Sequence, residues 1–242
     1  MLDVFSYVKA CSLVGAGLAI GLGAIGSAIG EGLTAGKANE TLSYRPELAG
    51  EILKTMLVGQ AVAESAAIFA LVVAMLMFFT NPVGKPLLAA WAFLGSGLGM
   101  GLSAIGSGIG SGFVSATACE GIGRQPAAKS AINSLMLIGA SITQSTAIYG
   151  FLVSLMLLFI GFPESADISR SFALLGAGLS TGFGGIGPGI GEGLTGSFAV
   201  TAVARNPEQV SKVTRTMLVG QAIAESTGIY ALIVALLLIM VV

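Results

Sequence analysis

Two glutamates stand inside long apolar runs: Glu64 in MLVGQAVAESAAIFALVVAML (56–76) and Glu225 in MLVGQAIAESTGIYALIVALL (217–237). Each lies 18 residues past a proline, Pro46 or Pro207, which on a helix is about 27 Å at 1.5 Å per residue. At that depth in a bilayer an ionised carboxylate costs from about 2.5 kcal/mol to several times more, so such residues mark ion or proton sites by default. Glu31 and Glu192 lie 15 residues before the same prolines, about 22 Å along an antiparallel partner helix. They are therefore expected to face Glu64 and Glu225 at similar depth. Ser65 and Ser226 follow the second carboxylates directly. Thr227 adds a hydroxyl, and Tyr230, one turn on, can donate to Glu225. Carboxylate and hydroxyl oxygens with a carbonyl make a cage for a hard cation, whereas a proton needs only the carboxyl group. The expected cargo is Na+, with H+ as the alternative. Two carboxylates around one Na+ would leave net negative charge in a low dielectric, so one glutamate is expected to keep its proton and the pair to titrate as a unit.

The elements that must position these residues recur three times. GAIGSAIGEG (23–32), SAIGSGIGSG (103–112) and GGIGPGIGEG (184–193) align without gaps, and the two glutamate-bearing runs align with LMLIGASITQSTAIYGFLVSL (135–155). Glu31, Ser111 and Glu192 are equivalent, as are Glu64, Gln144 and Glu225, with Pro46, Pro126 and Pro207 between them. A period of 80 to 81 residues fits a membrane hairpin and exceeds the common soluble repeats. Six spans are expected, near 10–36, 50–79, 88–118, 130–160, 171–201 and 211–241. The hairpins are 1–82, 83–163 and 164–242. Their polar turns are 43–47, 123–127 and 204–208, and 80–86 and 161–170 carry the Pro and Gly of connecting loops. The first helix of each hairpin is rich in glycine. In water each interior Gly costs about 1 kcal/mol relative to Ala; in a bilayer small-xxx-small spacing lets backbones approach. An inner ring of tightly packed helices follows. The GxGxxG matches in these runs have no βαβ context and do not indicate a dinucleotide loop.

Composition agrees. The 242 residues are 55% hydrophobic and 10% charged, far below a soluble domain, and the apolar runs reach the roughly 20 residues that a bilayer span needs. A net charge of -1 gives no electrostatic case for nucleic acid. The two cysteines, Cys11 and Cys119, have no metal or redox spacing, and the chain has no His. The start, MLDVFSYVKACS, carries Asp3 and runs into a full-length Gly-rich helix, so it is expected to be mature sequence. Lys37, Arg45, Lys54, Arg124, Lys129, Arg205, Lys212 and Arg215 lie on the turn side, and Lys9, Lys85 and Arg170 on the other. The positive-inside rule then puts the turns in the cytoplasm and both termini outside, as expected for a multi-pass protein of a prokaryotic plasma membrane.

The Gly-rich first helix, the Arg-(Gln/Asn)-Pro turns at 124–126 and 205–207, and MLVGQAIAESTGIY (217–230) resemble the c subunit of F-type ATP synthases, most closely its sodium-translocating branch. The resemblance covers essentially the whole chain, once per hairpin. It implies an all-α membrane protein of six helices in three tandem hairpins that assemble into a closed rotor ring, homo-oligomeric or mixed, with membrane lipid around it. It implies a non-catalytic subunit, ion release past a stator arginine in the a subunit, and central-stalk docking through 43–47, 123–127 and 204–208. Carried onto the third repeat, its ligand set becomes Glu192, Ile223 (carbonyl), Glu225, Ser226, Thr227 and Tyr230. On the first repeat it becomes Glu31, Val62 (carbonyl), Glu64 and Ser65, with Ala66 and Phe69 in place of the second hydroxyl and the tyrosine. The second repeat keeps Ser145, Thr146 and Tyr149 but has Gln144 and Ser111 for the carboxylates. It is expected to carry no ion, although Ser145 or the Ile142 carbonyl could complete a neighbouring hairpin's site. Tyr44-Arg45-Pro46 shifts the turn arginine by one. The alternatives are a proton-carrying rotor, the proteolipid of a V/A-type ATPase, and, more remotely, a six-span transporter or channel. These repeats, however, are parallel in sense where transporter repeats are often inverted.

Overall fold

The computed structural model describes residues 4–81, 83–161 and 168–240. Helices α1 (Val4–Tyr44) and α2 (Ala49–Phe79) form the first hairpin. The second is α3 (Leu88–Arg124) with α4 (Lys129–Ile142) and α5 (Ser145–Phe159); the third is α6 (Ile168–Arg205) with α7 (Val210–Met240). No strand occurs among the described residues, as expected for an all-α membrane protein. Five helical stretches are long and apolar enough to cross a bilayer. Only α6, diluted by Gly, Ser and Thr, falls short on composition. Large apolar side chains stand outward, among them Leu57, Ile68, Phe78 and Phe79 on α2. In water such a surface would aggregate; against acyl chains it costs nothing.

Each turn is built the same way. Pro46, Pro126 and Pro207 each open one 3-10 turn, and the residues before them, Arg45, Gln125 and Asn206, sit at φ -135, -137 and -141. The proline ring drives its predecessor out of the helical region, which ends the first helix there. Arg124 and Arg205 are the last residues of their helices, whereas Arg45 occupies the extended position itself. Of the connections between hairpins, 80–86 is described except at Pro82, with Gly84 at φ +74, a left-handed conformation that glycine adopts without strain. Residues 162–167 of the other expected loop, and Met1–Asp3 of the expected mature start, lie outside the described residues.

Expected as one span, 130–160 is interrupted at Thr143–Gln144. There the Gln144 N–H bonds three residues back, to Ser141 O at 3.2 Å, and Thr143 Oγ1 donates to Ala140 O at 2.7 Å. Thr146 Oγ1 donates in turn to Thr143 O at 3.3 Å. Hydroxyl donors satisfy the carbonyls that the broken ladder releases. Neighbouring packing differs too. Gly23 faces Ala70 in the first hairpin and Gly184 faces Ala231 in the third, but in the second Ser103 on α3 faces Gly150 on α5. The larger residue has changed sides.

The hairpins lie side by side, with α3 between α1 and α6. Contact along both seams is backbone to backbone. A Cβ on Gly15 would fall 2.5 Å from Phe93 O, and one on Gly106 would fall 2.5 Å from Gly185 O. Gly30 and Gly110 face the Gly108 and Gly189 carbonyls more closely still. The outer helices fill the grooves behind: α2 against α1 and α3, α5 against α3 and α6. A Cβ on Gly17, Gly21 or Gly32 of α1, or on Gly187 of α6, would meet nothing within 4 Å among the described residues, so the row of seams is open at both ends.

Replacing Gly30 by Val should therefore disrupt the α1–α3 seam at a cost of about 2–3 kcal/mol, the upper range for overpacking. Gly50→Ala, at an exposed helical site with open space, should be neutral or stabilising by up to about 1 kcal/mol. Thermal unfolding of both variants in detergent checks the contrast.

Candidate ion-binding sites at the hairpin seams

Each first-helix glutamate interacts electrostatically with the second-helix glutamate of its own hairpin, and at the third pair a side chain of another hairpin stands beside them. Glu192 on α6 is fully buried and interacts electrostatically with Glu225 on α7. Glu225 is half-buried, and its Oε1 accepts a short hydrogen bond from the Tyr149 hydroxyl on α5. Tyr149 also senses Glu192 and has Ser145 beside it. Residues of the second hairpin thus complete the site of the third.

The third-repeat set proposed by resemblance is accordingly divided. Glu192 and Glu225 come together, but Ser226, Thr227 and Tyr230 do not gather around them. Ser226 Oγ donates to Ile223 O at 2.7 Å and Thr227 Oγ1 to Ala224 O at 3.1 Å. Ile223 and Tyr230 are 67% and 63% exposed, on the part of α7 that no other hairpin of the chain covers. The physical reason is helix rotation. An outer helix lies over the groove between two inner helices, so its ligand-bearing positions are split between the two seams it borders. Gap-free repeats conceal this, because Tyr149 and Tyr230 occupy the same repeat position.

In the first hairpin Glu31 is half-buried and interacts electrostatically with Glu64, which is exposed. The pair sits at the open end of the row. Ser65 Oγ returns to Ala61 O at 3.1 Å, Val62 is half-buried, and Phe69 stacks on Phe151 of α5 at 5.3 Å between ring centroids. Phe69 thus turns to hairpin 2. Hairpin 2 has a neutral pair at the carboxylate positions: Gln144, 8% exposed, donates through Nε2 to Ser111 Oγ at 3.3 Å.

Among the described residues, the buried side-chain polar atoms without a hydrogen-bond partner are Gln144 Oε1, Ser145 Oγ, both carboxylate oxygens of Glu192, and Gln221 Oε1. Buried polar atoms are normally satisfied. All five lie at the level of the repeat glutamate position or one turn from it. Carboxylate and hydroxyl oxygens are the donor type that a hard alkali ion takes. No group of three or more His, Cys, Asp or Glu that could hold a metal ion occurs among the described residues.

The family model of the ATP synthase C subunit matches residues 14–77, 94–157 and 175–238, once in each hairpin. The chain belongs to that family. It is 33% identical to the K subunit of the A-type ATP synthase of Methanocaldococcus jannaschii over 229 residues, 95% of this chain and 96% of that protein. It is 50% identical over 80 residues to the ATP synthase c subunit of Thermotoga petrophila, covering 31% of this chain and 94% of that one. For the c subunit of Natranaerobius thermophilus the figures are 48% over 83 residues, 34% and 95%. One hairpin thus corresponds to a whole short c subunit, and three to the whole of the K subunit. This member is an integral, multi-pass rotor proteolipid, a ring-forming and non-catalytic part of an ATP synthase.

Replacing Tyr149 by Phe removes the hydroxyl from Glu225 while keeping the ring. Carbodiimide reactivity of Glu225 should change severalfold and that of Glu64 should not. An unchanged Glu225 would mean that its partner lies within its own repeat.

Proposed function

We propose that this chain is the Na+-carrying rotor of an F-type ATP synthase and that it binds two ions for every three hairpins. The observation that carries this reading is the cross-hairpin bond from Tyr149 to Glu225, beside the unpartnered oxygens of Glu192 and Ser145. One site lies between hairpins 2 and 3, built from Glu192, Glu225, Ser145, Tyr149 and the Ile142 carbonyl. The other lies between chains. The open end of one copy carries Glu31 and Glu64, and the open end of the next presents Ser226, Tyr230 and the Ile223 carbonyl, the same positions one repeat on. Thr227 stands beside Ser226 as a second hydroxyl. The seam between hairpins 1 and 2, with Ser111 and Gln144, carries no ion.

Chains meet head to tail, the Gly17, Gly21 and Gly32 face of α1 against the Gly187 face of α6, which repeats the intrachain seams. A heterologous contact of this kind closes into a ring when its rotation divides the circle. Ions load from one half-channel and leave past a stator arginine of the a subunit. The turns at 43–47, 123–127 and 204–208 dock on the central stalk from the cytoplasm, with both termini outside. A lower ion count per turn raises the ion-motive force needed for synthesis and favours pumping by hydrolysis. A second reading is favoured by the full-length match to the K subunit: the same rotor in an A-type enzyme. The stalk subunits that co-purify with the ring separate the two.

Carbodiimide labelling of the purified ring at graded Na+ and pH, with the adducts located by mass spectrometry, tests the proposal. Glu64 and Glu225 should both be labelled and Na+ should protect both. Labelling that follows pH and ignores Na+ would make this a proton rotor, and no labelling at either residue would remove the ion sites. Sodium affinity should vary with pH, because two carboxylates share one ion; constancy from about pH 5 to 9 would contradict that sharing. The ion-to-ATP ratio should be two-thirds of the value set by the hairpin count, and a ratio equal to the full count would sink the assignment of hairpin 2.

A further inference from the structure

Gln221 is fully buried on α7, one turn before Glu225, and no part of the sequence pattern marks it as a ligand. Its Nε2 donates to two carbonyls from different hairpins, Glu192 O on α6 and Gly139 O on α4, each at 3.0 Å. Glu192 O lies within α6, whereas Gly139 O lies four residues before Thr143, whose N–H goes to Ser141 O, so the amide there serves a carbonyl next to the interruption. It ties together three helices: the one bearing Glu192, the one bearing Glu225, and the outer helix that continues into Ser145 and Tyr149. Gly196 lies beside it, where a Cβ would stand 3.4 Å from Gln221 Nε2 and 2.8 Å from Val114 Cγ2.

The three repeats supply an internal comparison. Where hairpin 1 has Glu31 and Glu64, it has Gln60, whose Nε2 donates to Glu31 O at 3.3 Å. Where hairpin 2 has Ser111 and Gln144, the equivalent residue is Ala140, buried and without a side-chain donor, and Ser115 replaces Gly196. The glutamine is present with each carboxylate pair and absent without one. Packing alone does not require this association: the seams on both sides of hairpin 2 are equally close, and Ala140 is as well buried as Gln221.

We propose that Gln221 is a positioning residue of the carboxylate site between hairpins 2 and 3, and that it holds the Glu192 backbone and the neighbouring outer helix at the spacing the ion requires. Gln60 does the same for the site between chains. The inference rests on the ion-site reading above and adds a determinant to it. One lost buried hydrogen bond is worth about 0.5–1.5 kcal/mol net, which corresponds to as much as about tenfold in affinity.

The test uses assembled rings of the full chain in which Gln221→Met keeps the side-chain length and removes the amide. Both carboxylates are labelled with carbodiimide in the same ring against graded Na+. Glu225 in the variant should need about tenfold more Na+ for protection, while the Glu64 curve stays where it is in the unaltered ring. An unchanged Glu225 curve, or equal shifts at Glu64 and Glu225, would overturn the proposal, since packing or ring stability alone would produce those results. If Na+ protects neither residue in the unaltered ring, the sodium reading fails on its own. The proposal is then read on pH: the labelling midpoint of Glu225 must move in the variant and that of Glu64 must not. Should Gln221→Met fail to assemble, Gln60→Met gives the same comparison with Glu64 and Glu225 exchanged.

Discussion

The close approach of the inner helices governs the rest of this structure. Where Gly30 meets the Gly108 carbonyl, and Gly110 the Gly189 carbonyl, there is no space for a side chain on either helix. Membrane helices gain nothing from hiding apolar surface from lipid, so association depends on contact and on backbone proximity. Small inner residues bring the axes together, and the larger side chains of the outer helices then fill the grooves behind them. The pitch from hairpin to hairpin is set at the inner seams and inherited by everything outside them.

The sites depend on that pitch. An outer helix seated in a groove borders two seams, so its carboxylate turns to one and its hydroxyls and tyrosine to the other. Tyr149 reaches Glu225 for this reason, and Phe69 lies against Phe151 rather than beside Glu64. On the proposed reading, an ion bound across a seam adheres two hairpins to each other. Fusion of three hairpins places one such junction inside the chain and leaves the other to be completed by a second copy.

The fold is largely legible in the sequence. Three gap-free repeats, prolines at one place in each, and apolar runs of spanning length specify three membrane hairpins, and the Glu31–Glu64 and Glu192–Glu225 pairings follow from distance to the turn. Rotation about the helix axis is not legible. Residue spacing measures depth well, at 1.5 Å per residue, but which seam a position faces depends on the groove its helix occupies, a tertiary fact. That is why spacing groups the following hydroxyls with Glu225 although the tyrosine beside it is Tyr149. The interruption at Thr143–Gln144 is hidden similarly. Thr and Ser are ordinary in membrane helices, and the break shows in the backbone, where the Gln144 N–H turns to Ser141 O. Gln221 reads as one polar residue in an apolar run; its absence from the repeat without carboxylates is the available signal.

The seam without carboxylates is held differently from its neighbour. Between hairpins 1 and 2, where Ser111 and Gln144 stand at the carboxylate positions, direct bonds near the turns link the outer helices. Lys129 pairs with Glu51 at 2.6 Å, and Thr55 Oγ1 donates to Asn133 Oδ1 at 2.9 Å. Neither pair recurs between hairpins 2 and 3, where the equivalent positions are Ala131 with Val210 and Leu135 with Thr214. The Lys129–Glu51 pair is exposed and adds at most about 1 kcal/mol. Its value is in register, which a bidirectional pattern of small residues defines only weakly along the helix axis. Direct polar links at the seam without carboxylates, and a buried amide pinning backbone at the seam with them, are two solutions to the same requirement of fixed spacing.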